Sequence, residues 1–407
     1  VGVFDMESEG RQTGAVLVGY ATRHTITRGR MIEYRPVILL GNGVRIRPDL
    51  VEYLCGLNVP IITTWPGADL ISEDNPAYVG RSGIFGVRSA NIITQKATHF
   101  YSVGARLDGE QVAYAYDRMC PSAKEIMIFD VDQAELDKIP DFPPSVLVTK
   151  VKVNLRNVRT LTIAPADGEW LAWCKALYNR FRFELDGEDA GKFVHPFTFT
   201  RLLHEHSAAD DVFAIGSSGN APTSFFQSYK VKQGQRISNV STIGAMGADI
   251  PMAMGAAMAT GRRTICVTGD GGFQMNAQEL ETIRRLYLPI IFFVMNNGGY
   301  NSIRVGQLAR FGRVTGANVE TGFTMPRIED LAHTYRFMYH KLDGNNLNEF
   351  NKCFTAQPLI VEVMVNPEWE ELPRVMASGV GAALRTDNFE DMSPKLSANE
   401  FKEIMEA

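Results

Sequence analysis

Short apolar runs recur along the chain, each closed by a turn residue, with longer amphipathic stretches between them. Pro36–Leu40, Val59–Thr63, His99–Val103, Glu125–Val131 and Ser145–Thr149 read as strands, with a helix at Pro48–Leu57. Val212–Ile215, Thr264–Thr268, Ile290–Met295 and Leu359–Met364 read as a second set. Between the middle pair, Leu280, Ile283 and Tyr287 mark a helical stripe over Gln274–Leu288, which Pro289 ends. Glu169–Phe181 and the Ala/Met/Gly-rich Pro251–Ala259 read as further helices. Strands alternating with helices predict parallel sheets, so the expected fold class is α/β, with two parallel-sheet sandwich domains.

The pattern divides the chain. Residues 1–30 are polar and aperiodic, a linker or the remnant of another domain. Residues 31–152 form a first unit, 153–189 a connector with Pro165 and Gly168, 190–370 a second unit, and 371–407 a tail.

The most telling spacing lies in the second unit. Gly269-Asp270-Gly271 closes one apolar strand and Asn296-Asn297 closes the next, with residues 272 through 295 between them. That interval is one helix plus one strand. A strand-helix-strand unit returns its second strand parallel to the first. Asp270 and Asn297 then meet at the carboxyl edge of the sheet, where open α/β sheets bind ligands. Mg²⁺ takes oxygen ligands from one or two carboxylates, phosphates and water. Asp270 offers a carboxylate, Asn297 an amide oxygen, and the backbone near Gly299 a carbonyl. Gly271 and Gly272 let N–H groups approach phosphates without a Cβ between, and a helix N-terminus adds partial positive charge. Taken alone, a Gly-Asp-Gly triplet is a common turn; the paired interval is what points to chemistry.

This constellation resembles the thiamine-diphosphate signature. Residues 31–407 look like the middle and diphosphate-binding domains of the acetolactate synthase and 2-oxo acid decarboxylase superfamily. The stretch Asn297-Gly298-Gly299-Tyr300-Asn301-Ser302-Ile303-Arg304, with Gln307, is most similar to acetolactate-synthase-related enzymes found with surface polysaccharide pathways. Further family-like pieces are Thr64-Trp65, Gly80-Arg81-Ser82-Gly83 and Gly104-Ala105-Arg106-Leu107. The resemblance implies a Rossmann-like middle domain used as a scaffold, on which some members hold FAD or another nucleotide. Gly41-Asn42-Gly43 lacks the third glycine and the acidic residue in register, so nucleotide binding is not the expected role there.

The resemblance also implies site residues. The cofactor set is Gly219, Asn220, Gly244, Met246, Gly269, Asp270, Gly271, Gly272, Asn297 and Asn301; the metal set is Asp270, Asn297 and Gly299. Gly219 and Asn220, after Val212–Ile215, sit where the family binds phosphates. In Thr242-Ile243-Gly244-Ala245-Met246-Gly247, the Gly244 carbonyl and Met246 N–H would hold the aminopyrimidine, and the Met246 side chain would bend the cofactor. A core-filling methionine is the plain alternative. The family's activating Glu lies on a separate pyrimidine domain of the neighbouring subunit, and the chain is expected to lack it: the first residue is Val, and residues 1–30 are too few for a domain. Glu279 reads as structural, so no catalytic residue is assigned. Arg304 and Gln307 face either substrate or solvent. The tail after Glu368 is either a lid or a surface helix.

Composition narrows the partners. At 407 residues, 45% hydrophobic and 21% charged, the chain is an ordinary globular one of two or three domains. A net charge of −5 gives no footprint for nucleic acid, and no apolar run reaches the length of a membrane span. Cys55, Cys120, Cys174, Cys266 and Cys353 are scattered, as expected of free thiols in a reducing cytoplasm. His195, His204, His206 and His333 lack metal-ligand spacing. The expectation is a thiamine-diphosphate- and Mg²⁺-dependent carboligase or decarboxylase acting on a 2-oxo acid, a homodimer or homotetramer, and inactive as an isolated chain. The alternatives are a noncatalytic cofactor-binding subunit and, more distantly, a nicotinamide or flavin oxidoreductase, in which the Asn pair has no task.

Overall fold

The computed structural model describes residues 15–18, 34–140, 142, 145–182, 191–217, 219–240, 243–355, 357–379 and 385–407. The chain separates into two compact units, 1–183 with 372–407, and 184–371.

The first unit holds β1 (Ala15–Val18), β2 (Pro36–Leu40), β3 (Ile61–Thr63), β4 (Tyr78–Arg81), β5 (His99–Val103), β6 (Glu125–Asp130), β7 (Leu147–Lys152) and β8 (Val158–Thr162). Its helices are α1 (Pro48–Cys55), α2 (Arg88–Lys96), α3 (Gln133–Asp137) and α4 (Gly168–Arg182). Six strands form a sheet in the order β4-β3-β2-β5-β6-β7, and every pairing is parallel. The order reverses between β2 and β5, the place where a doubly wound sheet opens its crevice. Here two glycine turns meet instead. Gly43 N–H donates to the Gly104 carbonyl at 2.9 Å, and a Cβ on Gly41 would lie 2.1 Å from that oxygen.

The second unit holds α5 (Pro196–His206), β9 (Val212–Ile215), α6 (Asn220–Ser228), β10 (Arg236–Asn239), α7 (Asp249–Thr260), β11 (Thr264–Gly269), α8 (Asp270–Phe273), α9 (Glu279–Arg285), β12 (Ile290–Asn296), α10 (Asn301–Phe311), α11 (Ile328–Thr334), β13 (Met338–Leu342) and β14 (Leu359–Met364). The sheet runs β10-β9-β11-β12-β14-β13, again wholly parallel. Its inner strands are buried on both faces, which is why they read as unbroken apolar runs.

Several expected elements differ. The helix expected over Gln274–Leu288 is broken: α8 starts at Asp270, a 3₁₀ turn covers Gln274–Asn276, and α9 ends at Arg285. Gly271 and Gly272, weak helix formers, lie inside α8, which ends after one turn. Residues 153–182 of the expected connector cluster with the first unit, where β8 pairs in parallel with β1 and α4 packs beside α2. The tail likewise returns to that unit as α12 (Ala398–Glu406). Lys96 Nζ donates to the Ile404 and Met405 carbonyls at 3.2 and 2.9 Å, a cation capping a helix C-terminus. Most of the expected leading linker lies outside the described residues, as does Thr242.

Candidate functional site

Register brings the site together. Gly269 on β11 pairs with Met295 on β12, so Asp270 and Asn297 follow the ends of adjacent parallel strands. The loop after β9 reaches the same edge. One pocket is lined by Gly219, Asn220, Met246, Asp270, Asn297 and Asn301, with Gly269, Gly271, Gly272 and Gly299 around them. Of the expected cofactor and metal residues, only Gly244 does not line it.

Asp270 is 2% exposed. Its Oδ1 accepts from its neighbour Gly271 N–H at 2.8 Å, and its Oδ2 accepts from Gly299 N–H at 3.0 Å. Burial pushes its carboxyl up to about 7, against the pull of those backbone donors. A cation beside it would restore the ionised form. Asn297 is 6% exposed, and its Oδ1 has no hydrogen-bond partner. A buried acceptor left unpaired costs on the order of 1–3 kcal/mol, a cost that a bound ligand atom would offset. Asn220 presents a second such atom: its Oδ1 accepts from Asn301 Nδ2 at 3.4 Å while its Nδ2 is buried and unpartnered. An orphan acceptor beside a buried carboxylate fits a hard cation, and an orphan donor fits a phosphate oxygen.

The glycines hold the pocket open. A Cβ on Gly271 would lie 2.5 Å from the Tyr300 ring and 3.2 Å from Met246 Cε. Gly219 has φ +79° at the start of α6, a conformation that L side chains rarely adopt. The loop carrying Gly244 and Met246 is fastened at two points: Ser217 Oγ donates to the Ala245 carbonyl at 2.6 Å, and Asn276 Nδ2 to the Gly247 carbonyl at 2.7 Å.

Arg304 and Gln307 are occupied locally. Arg304 Nη2 donates to Asn301 Oδ1 at 2.6 Å and to the Pro367 carbonyl, and Gln307 Oε1 accepts from Thr315 N–H at 2.7 Å. His195 accepts from Phe197 N–H at the start of α5, and His204 and His206 lie against the Lys230 and Leu202 carbonyls. Among the described residues no cluster of His, Cys, Asp or Glu is built for a metal ion.

Several pocket residues escaped the sequence reading, Asp249 and Thr268 among them. Asp249, at the start of α7, is buried, accepts from the Thr268 hydroxyl through Oδ2, and leaves Oδ1 unpartnered. Burial pushes its carboxyl up to about 6. The signal was present as a lone acid ahead of the apolar Ile250–Ala259 run.

Two stretches of the chain match known domain families. Residues 33–155 match the family model described as the thiamine pyrophosphate enzyme central domain, and residues 217–363 match the C-terminal TPP binding domain. The acetolactate synthase large subunit of Cyanidium caldarium is 28% identical over 312 residues, 74% of this chain and 52% of that protein. The Escherichia coli acetolactate synthase isozyme 1 large subunit is 30% identical over 267 residues, 65% of this chain and 46% of that one. The probable acetolactate synthase large subunit of Methanocaldococcus jannaschii is 26% identical over 388 residues, 91% and 64% respectively. The chain thus spans about half the length of several curated relatives it matches. With two matched domains, the chain belongs to the thiamine pyrophosphate enzymes, on the acetolactate synthase-like side of that family.

Proposed function

We propose that the second unit binds thiamine diphosphate through Mg²⁺ held by the Asp270 carboxylate, Asn297 Oδ1 and the Gly299 carbonyl. The observation that carries this reading is the unpaired, buried Asn297 oxygen lining the same pocket as the buried Asp270 carboxyl. Asn220 Nδ2 and the backbone of the 269–272 turn would face the diphosphate, and Met246, at the Gly271 end of the pocket, would support the bend of the cofactor. Thiamine diphosphate, when bound, supplies the nucleophilic carbon for attack on a 2-oxo acid carbonyl. The residues around it bind, orient and exclude water. The reaction we favour is an acetolactate-synthase-like carboligation, with simple decarboxylation to an aldehyde second.

The described carboxylates lining the pocket are Asp249 and Asp270. Asp249 Oδ2 is engaged by the Thr268 hydroxyl and Asp270 would serve the metal, so only Asp249 Oδ1 is left unpartnered and no described carboxylate of the pocket is wholly free for the aminopyrimidine. We therefore propose that this 407-residue chain alone binds cofactor but consumes little pyruvate. A noncatalytic cofactor-binding subunit, completed by a partner's pyrimidine domain, is the second reading on the same observation. A homodimer or homotetramer is the assembly we propose, which light scattering would test. Five free cysteines favour a reducing cytoplasm. No described helix is long and apolar enough to cross a membrane.

Calorimetric titration of Asp270→Ala tests the metal assignment. The expected result is loss of Mg²⁺-dependent thiamine diphosphate binding with the fold retained. Unchanged affinity contradicts it.

A further inference from the structure

Glu362 is the one acid in the apolar strand Leu359–Met364 and is 8% exposed. It is not among the pocket residues that we assign to cofactor or metal. A carboxylate in a buried strand is costly unless its oxygens are hydrogen-bonded. Both are: Oε1 accepts from Asn296 Nδ2 at 2.6 Å, and Oε2 accepts from the Tyr339 hydroxyl on β13. Asn296 is the last residue of β12, and its other end, Oδ1, accepts from Gly298 N–H at 3.0 Å. One residue further, Gly299 N–H donates to Asp270 Oδ2.

The turn that carries Asn297 has little stiffness of its own. Gly298 and Gly299 have φ of +77° and +137° and lose much chain entropy on being fixed. The Asn296 amide supplies the missing restraint, but only in one orientation. Rotated by half a turn, it would point its NH₂ at the Gly298 N–H, donor against donor. Glu362 forbids that rotation, because a carboxylate accepts only from the NH₂ end. A charge-assisted bond is roughly twice as strong as a neutral one, which makes the preference firm.

We propose that Glu362, acting through Asn296, is a positioning residue: it fixes the amide so that the 297–299 turn is preset for the cation. This rests on the metal site proposed above. The test is calorimetric titration of thiamine diphosphate at a series of Mg²⁺ concentrations on the full chain, with melting midpoints measured alongside. Asn296→Ala and Glu362→Leu should each raise the Mg²⁺ needed for half-maximal binding about 10-fold. The double variant should be no worse than either single one, since both break one chain of contacts. Glu362→Gln should cost clearly less than Glu362→Leu, because its Oε1 can still accept from Asn296 although its NH₂ end no longer forbids the rotated amide. A purely structural role would lower the melting midpoint and leave the Mg²⁺ requirement alone.

An unchanged Mg²⁺ requirement in Asn296→Ala overturns the proposal. So does a Glu362→Gln loss as large as that of Glu362→Leu, which would mean charge acting through space. If Glu362→Leu does not fold, the other two variants still decide. A wild-type chain that binds cofactor without regard to Mg²⁺ removes the underlying metal site and this inference together. Metal-dependent wild type with unaffected variants removes the inference alone.

Discussion

Two sheets of the same kind end in two different edges. Each has six parallel strands, and each reverses strand order near its middle, between β2 and β5 in one unit and between β9 and β11 in the other. At the first reversal the glycine turns bond to each other, Gly43 N–H to the Gly104 carbonyl, and the backbone fills the crevice. At the second, the turns after β9 and β11 leave a pocket with buried polar atoms of Asn220, Asp249 and Asn297 unpaired. Topology alone therefore does not make a binding site. What separates the edges is where glycine is used: to let backbone meet backbone in one, and to keep side chains out of a pocket in the other.

The largest expected effect is on binding. Asn297→Leu removes the orphan oxygen, and Mg²⁺-dependent thiamine diphosphate affinity should fall roughly 100-fold. The same change should raise thermal stability by about 1 kcal/mol, because an unpaired buried acceptor is gone. Loss of affinity with loss of stability would mean that Asn297 serves the fold.

The converse experiment is at the closed edge. Gly41→Ala places a Cβ against the Gly104 carbonyl, and we expect a cost of about 2–3 kcal/mol in denaturant unfolding. Cofactor affinity of the folded fraction should not change. A tolerated alanine would show that this crevice opens more easily than the geometry indicates.

Asp249 sharpens the contrast through pH. Its folded-state value of about 6 lies above the usual 3.8, so the protonated form favours the fold. That contribution is complete below about pH 4 and is lost as pH rises through 6. At pH 7.5 Asp249→Asn should therefore be more stable than wild type, by on the order of 2–3 kcal/mol, and equal to it below pH 4. A gain that persists unchanged in acid would point to packing. Smallest is Asn220→Ala, expected to weaken cofactor binding about fivefold, the net worth of one hydrogen bond; its readout is the same titration, and no change would free Asn220 from the phosphate role.

The legible parts of the chain share a physical cause. Pro36–Leu40, His99–Val103, Val212–Ile215 and Leu359–Met364 have the same bounds in sequence and structure, because buried parallel strands are apolar over most of their length. The Asp270 and Asn297 loops were placed at one edge by a single interval. The two edge strands of the second sheet went unread: Arg236–Asn239 and Met338–Leu342 are half-polar, since one side lacks a neighbour. Tyr78–Arg81 is broken in pattern by Gly80 at φ +116°. Asp249 and Glu362 carried a usable signal, a lone acid at the edge of or inside an apolar run. Their partners, Thr268, Tyr339 and Asn296, lie far off in sequence, so only the fold reveals what each acid does.

The central claim is that the open edge is a metal-dependent diphosphate site. Titrating thiamine diphosphate into the wild-type chain, once with Mg²⁺ and once with a chelator, tests it most directly. The account predicts saturable binding with the metal and none without it. Equal binding in both, or in neither, contradicts it.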